Sequence, residues 1–324
     1  MAGPRRQDAA VGYFAPLSLA LLTYLAIFGV SLAALLKASD WFVDASERIG
    51  LSLGISPFVI GVTIVAFGTS LPELASSIVA VFNGTSEIVI GNVVGSNVAN
   101  ICLVLGVVAI VARKVELDFS VLDVDIPVIV ASAVVLWALT RDGSVGLVDG
   151  LLFVGLLVIS LINSFRSRRD EPDAGEAIAA GGRSYGLLLL GAVGVYFGAK
   201  YTVESITDLS AAFGIDSGVI AASLVALGTS LPEVIVSVDA ARKGKPGMAV
   251  GNVVGSNIFN SFGVMGIPAL FGEIEVPVEQ IAFSLPYMVG ITLLFAFFAT
   301  ASNVSRWEGV MLVGLYVIFV VELF

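Results

Sequence analysis

The sequence predicts an all-α polytopic membrane protein, with ten transmembrane helices arranged as two inverted-topology five-helix repeats. Three observations carry this. The first is composition: of 324 residues, 57% are hydrophobic and 13% charged, and the mean hydropathy is +1.01. A soluble domain carries about 25% charged residues. The second is spacing: apolar runs close to the ~20 residues that a helix needs to cross a bilayer recur along the whole length. A β-barrel would show alternating segments of roughly ten residues instead. The third is duplication. "GTSLPE" occurs at Gly68–Glu73 and at Gly228–Glu233, and "GNVVGSN" at Gly91–Asn97 and Gly251–Asn257; both pairs lie 160 residues apart (233 − 73 and 251 − 91). Upstream, "GISPFVIGVTIVAFGTS" aligns with "GIDSGVIAASLVALGTS" at the same offset. One offset held over about sixty residues marks two structural copies rather than reuse of a short motif.

The elements follow in order. Segment one, 11–36, comes after the basic pair Arg5 and Arg6 and is too long for the core of a signal peptide, so it reads as a retained helix. Segments two and three, 55–81 and 88–111, carry the first copies of the two motifs, and 121–139 and 147–165 complete the first half. Arg166–Ser184, "RSRRDEPDAGEAIAAGGRS", is the one long polar interruption, and it divides the chain into repeats at 1–165 and 185–324. The second half offers 185–203, then 215–240 and 247–271 with the second motif copies, then 281–299 and 307–324. Five spans per half is an odd number, so the second copy must enter the bilayer from the opposite side. Inverted repeats of this kind recur in secondary transporters, with the ion site at the midplane between the copies.

Basic residues set the orientation. One set of alternating loops holds Lys37, Arg48, Arg113, Lys114, Arg166, Arg168, Arg169, Arg183, Arg242, Lys243, Lys245 and Arg306; the other holds Arg5, Arg6, Arg141 and Lys200. The positive-inside rule makes the first set cytoplasmic and places both termini outside, in a prokaryotic cell membrane. Trp41, Trp137 and Trp307 are expected near helix ends. The acidic stretches "DASERIG", "VELDFSVLDVD", "RRDEPDAGE" and "FGEIEVPVE" read as solvated loops or helix ends.

Several functions are excluded. Cys102 is the single cysteine and histidine is absent, which removes internal disulfides, Ser–His catalysis and the commonest transition-metal ligand. The net charge of −10 and scattered basic residues leave no nucleic-acid surface. The expectation is a protein of the lipid bilayer, without enzymatic activity or bound cofactor.

The residues that carry chemistry lie inside the apolar segments. An ionised side chain at mid-membrane costs several kcal/mol, so Glu73 and Glu233 are site candidates by default. Gly68 with Pro72, and Gly228 with Pro232, loosen the helix around them, since proline lacks a donor and frees carbonyls from the ladder. Thr69, Ser70, Thr229 and Ser230 add hydroxyls. In segments three and eight, Ser96 and Asn100 share a helix face, as do Ser256 and Asn260. Asn92, Asn97, Asn252 and Asn257 read equally well as site residues or as polar glue between helices. This set is all hard oxygen, suited to Ca²⁺ or Na⁺ and poorly suited to zinc or copper. Two ionised glutamates carry the charge that one Ca²⁺ neutralises.

"GTSLPE" with "GNVVGSN", each duplicated, resembles the α-repeats of the sodium/calcium exchanger family among the cation/calcium antiporters. The resemblance implies ten transmembrane helices and electrogenic exchange of Na⁺ for Ca²⁺ by alternating access. Carried over by position, it implies that Ca²⁺ is held by Glu73, Glu233 and the carbonyls of Thr69 and Thr229. Na⁺ would use Ser70, Ser96, Ser230 and Ser256 with the carbonyls of Ala66 and Ala226, and Asn100 and Asn260 would complete the centre. The potassium-dependent branch has Asp where this chain has Asn260, which weakens any expectation of K⁺ cotransport. The proton/calcium branch generally differs after the "GN" pair, which favours Na⁺ as the driving ion, with H⁺ the alternative. Segments one and six, free of buried charge and rich in Gly and Ala, would slide past the core.

Overall fold

The computed structural model describes residues 8–112, 114–116, 125–166, 180–212 and 230–323. Arg5, Arg6, Arg113, the middle loop from 167 to 179, and the first part of segment seven with Ala226 and Thr229 lie outside them.

Helix α1, Asp8–Ser52, runs well past the apolar segment that announces it. Lys37 and Arg48, expected in a loop, therefore sit on the helix, and Trp41 lies in its interior rather than near an end. The reason is amphipathicity: Lys37, Asp40, Asp44 and Glu47 recur at three- and four-residue spacing, while Leu35, Ala38, Phe42, Val43 and Ile49 are buried on the opposite stripe. Next come α2 (Pro57–Thr69), α3 (Leu71–Phe82), α4 (Glu87–Ala112), α5 (Ile126–Leu139) and α6 (Leu147–Arg166). Helix α7, Gly182–Ala212, also outruns its apolar segment. The second half continues with α8 (Leu231–Arg242) and then α9, which is Pro246–Phe259 extended through Asn260–Val264 and Met265–Ala269. It ends with α10 (Gln280–Ala299) and α11 (Arg306–Glu322). A capping box starts α11, with Ser305 and Glu308 each satisfying the other's backbone N–H. Trp137 and Trp307 do fall at the ends of α5 and α11.

Five of these helices are each long and apolar enough to cross a membrane: Leu21–Ser52, Glu87–Ala112, Leu147–Ser164, Gly182–Leu209 and Gln280–Ala299. The bent pair α2–α3 makes a sixth. Their outer faces are apolar; Leu151, Leu152, Val158 and Ile159 of α6 are exposed.

Four short strands, which an all-helical reading does not anticipate, tie the connections together. β1 (Lys114–Glu116) pairs antiparallel with β4 (Asn303–Ser305), and β2 (Ser144–Val145) with β3 (Ile274–Glu275). Val115 faces Val304 and Ser144 faces Glu275. Exchanging the halves at the 160-residue offset turns one pairing into the other, so the duplication is also a two-fold relation in space. Helices α1 and α7, which correspond by the same offset, lie against each other in opposite directions. Gly191 meets Phe42, Gly194 meets Ala38 and Gly198 meets Leu35, so tightly that an added Cβ would come within 2.7–2.8 Å of α1. Thr202 donates to Ser31 across the seam at 3.0 Å.

The core lies under this pair. Helix α2 packs on α9 backbone to backbone: a Cβ on Gly61 would strike the Met248 carbonyl, and one on Gly251 the Phe58 carbonyl. Only glycine permits that approach, and it brings the two motif-bearing segments of opposite halves into contact.

Candidate cation site

Each carboxylate stands in the first turn of a helix, and the first of these helices restarts after a break. Helix α2 stops at Thr69, Ser70 takes φ −89° and ψ 5°, and α3 begins at Leu71, bent by 41°. Ser230 takes φ −90° and ψ 3° before α8, the same backbone angles as Ser70. Pro72 and Pro232 occupy the second helical position, where a missing N–H costs nothing. Pro72 also leaves the Gly68 carbonyl without its usual helical donor. Glu73 and Glu233 follow at the third position, where unpaired N–H groups and the helix dipole favour negative charge.

Both carboxylates are buried, at 0% and 1% exposure. The Ser70 hydroxyl donates to Glu233 Oε1 at 3.3 Å, which ties the break of one half to the acid of the other. The Thr69 hydroxyl lies 3.1 Å from Asn252 Oδ1, 3.5 Å from Ser256 Oγ and 3.3 Å from the Ala66 carbonyl. Asn100 and Asn260 each open a π-helical turn, Asn100–Val104 and Asn260–Val264. Such turns cluster at functional sites because they re-aim side chains out of register. Helix α3 packs on the turn begun by Asn260, and α8 on the turn begun by Asn100, again exchanging halves.

Glu73, Glu233, Ser70, Ser230, Thr69, Ser256, Ser96, Asn100 and Asn260 are thus all buried where these broken helices cross. Ala226 and Thr229 lie outside the described residues. Among the described residues, both oxygens of Glu73, Oε2 of Glu233, the hydroxyl of Ser230 and the side-chain amides of Asn100 and Asn260 find no hydrogen-bond partner. Buried polar atoms are rarely left so, and a bare cation is the partner this oxygen set suits. Among the described residues no three acidic, histidine or cysteine side chains gather, so neutral oxygens must complete any coordination shell. The Ala66 carbonyl already accepts from Ser70 N–H at 3.0 Å and from the Thr69 hydroxyl.

The asparagines left open by the sequence divide. Asn97 Nδ2 donates to Ser261 at 2.9 Å, and Asn257 Nδ2 to the Asn97 carbonyl at 3.2 Å, so this pair joins the two halves. Asn92 Nδ2 lies 3.2 Å from the carbonyl of Glu73 itself and 3.1 Å from Ser77, and Asn252 Nδ2 lies 2.9 Å from Ser237. These contacts brace the helices that carry the carboxylates. Ser77 and Ser237 escaped the sequence reading, although each stands four residues after its glutamate in both copies.

Apolar spans around buried, duplicated oxygen groups are the features of a membrane transport protein. The profile of the sodium/calcium exchanger protein family matches residues 23–166 and 183–324, and the chain belongs to that family. It is 37% identical to the sodium/calcium exchanger MaX1 of Methanosarcina acetivorans, over 91% of this chain and 97% of the relative. It is 30% identical to the inner membrane protein YrbG of Escherichia coli, over 94% of this chain and 98% of that one. Among solved structures, the sodium-calcium exchanger NCX_Mj soaked with 10 mM Na⁺ and no Ca²⁺ superposes with a TM-score of 0.83 at 34% identity, covering 94% of this chain and 100% of the other.

Proposed function

We propose that this protein exchanges Na⁺ for Ca²⁺ across a prokaryotic cell membrane by alternating access. Ca²⁺ and Na⁺ compete for overlapping oxygens: Glu73, Glu233 and the carbonyls of Thr69 and Thr229 hold Ca²⁺. Ser70, Ser96, Ser230 and Ser256, with the carbonyls of Ala66 and Ala226, serve Na⁺, and Asn100 and Asn260 complete the centre. The observation that carries this reading is the pair of buried carboxylates, three of whose four oxygens lack hydrogen-bond partners among the described residues. One Ca²⁺ offsets both charges, and Na⁺ must enter to replace it. The two-fold exchange of strands and the antiparallel run of α1 against α7 support ten membrane spans in two inverted halves, and the distribution of basic residues favours both termini outside. The tightly packed α1–α7 pair is the unit that slides past the core.

The test is uptake of radiolabelled Ca²⁺ into proteoliposomes driven by a Na⁺, K⁺ or proton gradient. A Na⁺ gradient drives uptake in the parent, and Glu73→Gln or Glu233→Gln abolishes it. Uptake driven by protons without Na⁺ replaces the counter-ion, and full uptake by either variant ends the site assignment.

A further inference from the structure

A second charged cluster lies away from the carboxylates. Lys243 and Lys245 stand on the turn after α8 and reach across to α1. Lys243 Nζ is 2.6 Å from Asp40 Oδ1, 2.9 Å from Asp44 Oδ1 and 3.2 Å from Asp239 Oδ2. Lys245 Nζ is 2.7 Å from Glu47 Oε2 and 3.5 Å from Asp44 Oδ1, and Lys37 adds a contact to Asp40 at 2.8 Å. A lone surface ion pair is worth little. Here the Lys243 and Lys245 side chains are only 21% and 16% exposed, and they share four carboxylates. Burial pulls the pKa of Lys243 down, but hydrogen bonds to Asp40, Asp44 and Asp239 outweigh it and hold the ammonium above the ordinary lysine range.

The two-fold relation supplies a built-in control. At the 160-residue offset Lys243 corresponds to Asn83, Lys245 to Thr85 and Asp239 to Val79, while Asp40 and Asp44 correspond to Lys200 and Glu204. The turns have the same backbone. Gly84 and Gly244 take φ 73° and 75°, and Thr85 and Lys245 donate their N–H to Ala80 and Ala240 at 3.0 and 2.9 Å. The mirror turn carries no charge, and α7 pairs Lys200 with Glu204 along itself at 3.8 Å. At the first position the ion pairs span from the turn to α1; the second holds a cavity of about 420 Å³ lined by Pro72, Ser76, Val79, Lys200, Glu204 and Pro232. Pro72 and Pro232 are the neighbours of the two carboxylates.

We propose that Lys243 and Lys245 form an ion-pair latch fastening α1 to the core, and that it keeps one approach to the carboxylates shut while the mirror approach stands open. The proposal rests on the alternating-access reading. To pass an ion across, the open cavity must close and its mirror must open. On the latched side this means parting two lysines from the three α1 carboxylates Asp40, Asp44 and Glu47, a cost without counterpart at the other turn. The latch therefore shifts the resting population toward one-sided opening, as any interaction made in one state alone must.

The experiment uses the full chain in proteoliposomes and a membrane-impermeant thiol reagent applied to either side. Cys102 is buried and stays silent. Ala75→Cys reports on the open cavity, and Ile235→Cys, its mirror position, on the latched side. The latch is removed by Lys243→Asn with Lys245→Thr, which writes the first repeat's own turn sequence into a turn of the same backbone. We expect Ala75→Cys to react faster than Ile235→Cys in the latched protein. The double substitution raises Ile235→Cys labelling by about threefold or more and slows Ala75→Cys labelling, while Lys243→Arg retains the original ratio. Unchanged labelling at position 235 after loss of both lysines overturns the latch. Labelling requires no ion transport, so the latch and the identity of the ions fail separately.

Discussion

Around the carboxylates the two halves of the chain are interchangeable, and at their turns they are not. Ser70 and Ser230 break their helices at the same angles, Asn100 and Asn260 open matching π turns, and Asn92 and Asn252 brace Ser77 and Ser237. The turns behind α3 and α8 keep one backbone yet carry Asn-Gly-Thr in one half and Lys-Gly-Lys in the other. A site that must be reached from both membrane faces gains from symmetry, because each half can present the same oxygens. Access gains from asymmetry, because a perfectly symmetric protein would have no preferred side. The duplication is thus held around the buried carboxylates and released at the turns.

The largest expected effects test the symmetric part. Glu73→Gln and Glu233→Gln should lose Na⁺-driven Ca²⁺ uptake to the same extent, down to the level of empty vesicles. A variant pair in which one glutamine is tolerated would show that the halves are not equivalent at the ion. Backbone contact between the halves comes next. A Cβ at Gly255 would strike the Val62 carbonyl and lie 2.7 Å from the Ala66 Cβ. Overpacking of that kind costs about 1–3 kcal/mol, so Gly255→Ala should lower the thermal midpoint in detergent. Gly155 on α6 has open space around it, and Gly155→Ala should leave the midpoint unchanged or raise it slightly.

A smaller difference separates the braces. Asn92 reaches the backbone of Glu73 as well as Ser76 and Ser77, whereas Asn252 donates to Ser237. Loss of a buried hydrogen-bonded partner costs about 1–3 kcal/mol. Asn92→Ala should therefore raise the Ca²⁺ concentration for half-maximal uptake more than Asn252→Ala does, and Asn92→Asp should recover none of the loss, because a carboxylate cannot donate to the Glu73 carbonyl. Equal shifts would mean that the contact to the Glu73 carbonyl is idle.

Much of this was legible in the sequence, and what was not has identifiable causes. The carboxylates, their hydroxyl neighbours and the matched Ser–Asn faces could be read because the repeat marks them twice, and all that are described are buried. The lengths of α1 and α7 could not be read from hydropathy, since both helices leave the apolar slab and continue on amphipathic spacing. The strand pairs are two or three residues long and exist only because distant connections meet. The π turns at Asn100 and Asn260 leave no trace in composition. Lys243 and Lys245 looked like ordinary loop charges, and only the three-dimensional proximity of α1 reveals their partners.

The smallest expected effect concerns pH and separates the latch from the site. Lys243 faces Asp40, Asp44 and Asp239, with Lys37, Lys245 and Glu47 beside them. Its pKa is raised in the folded state because the carboxylates outweigh its burial. A raised lysine contributes stability that is complete below the ordinary value of about 10.4 and is lost only as pH climbs through the folded value. The lysine is therefore charged throughout the range from about pH 7 to about pH 9, and the latch should hold there. The ratio of Ile235→Cys to Ala75→Cys labelling is the suitable readout, because thiol ionisation accelerates both and cancels. That ratio should stay flat across the range. A rise toward the alkaline end would mean that Lys243 surrenders its proton, and that the four carboxylates around the two lysines do less to close this face than their distances imply.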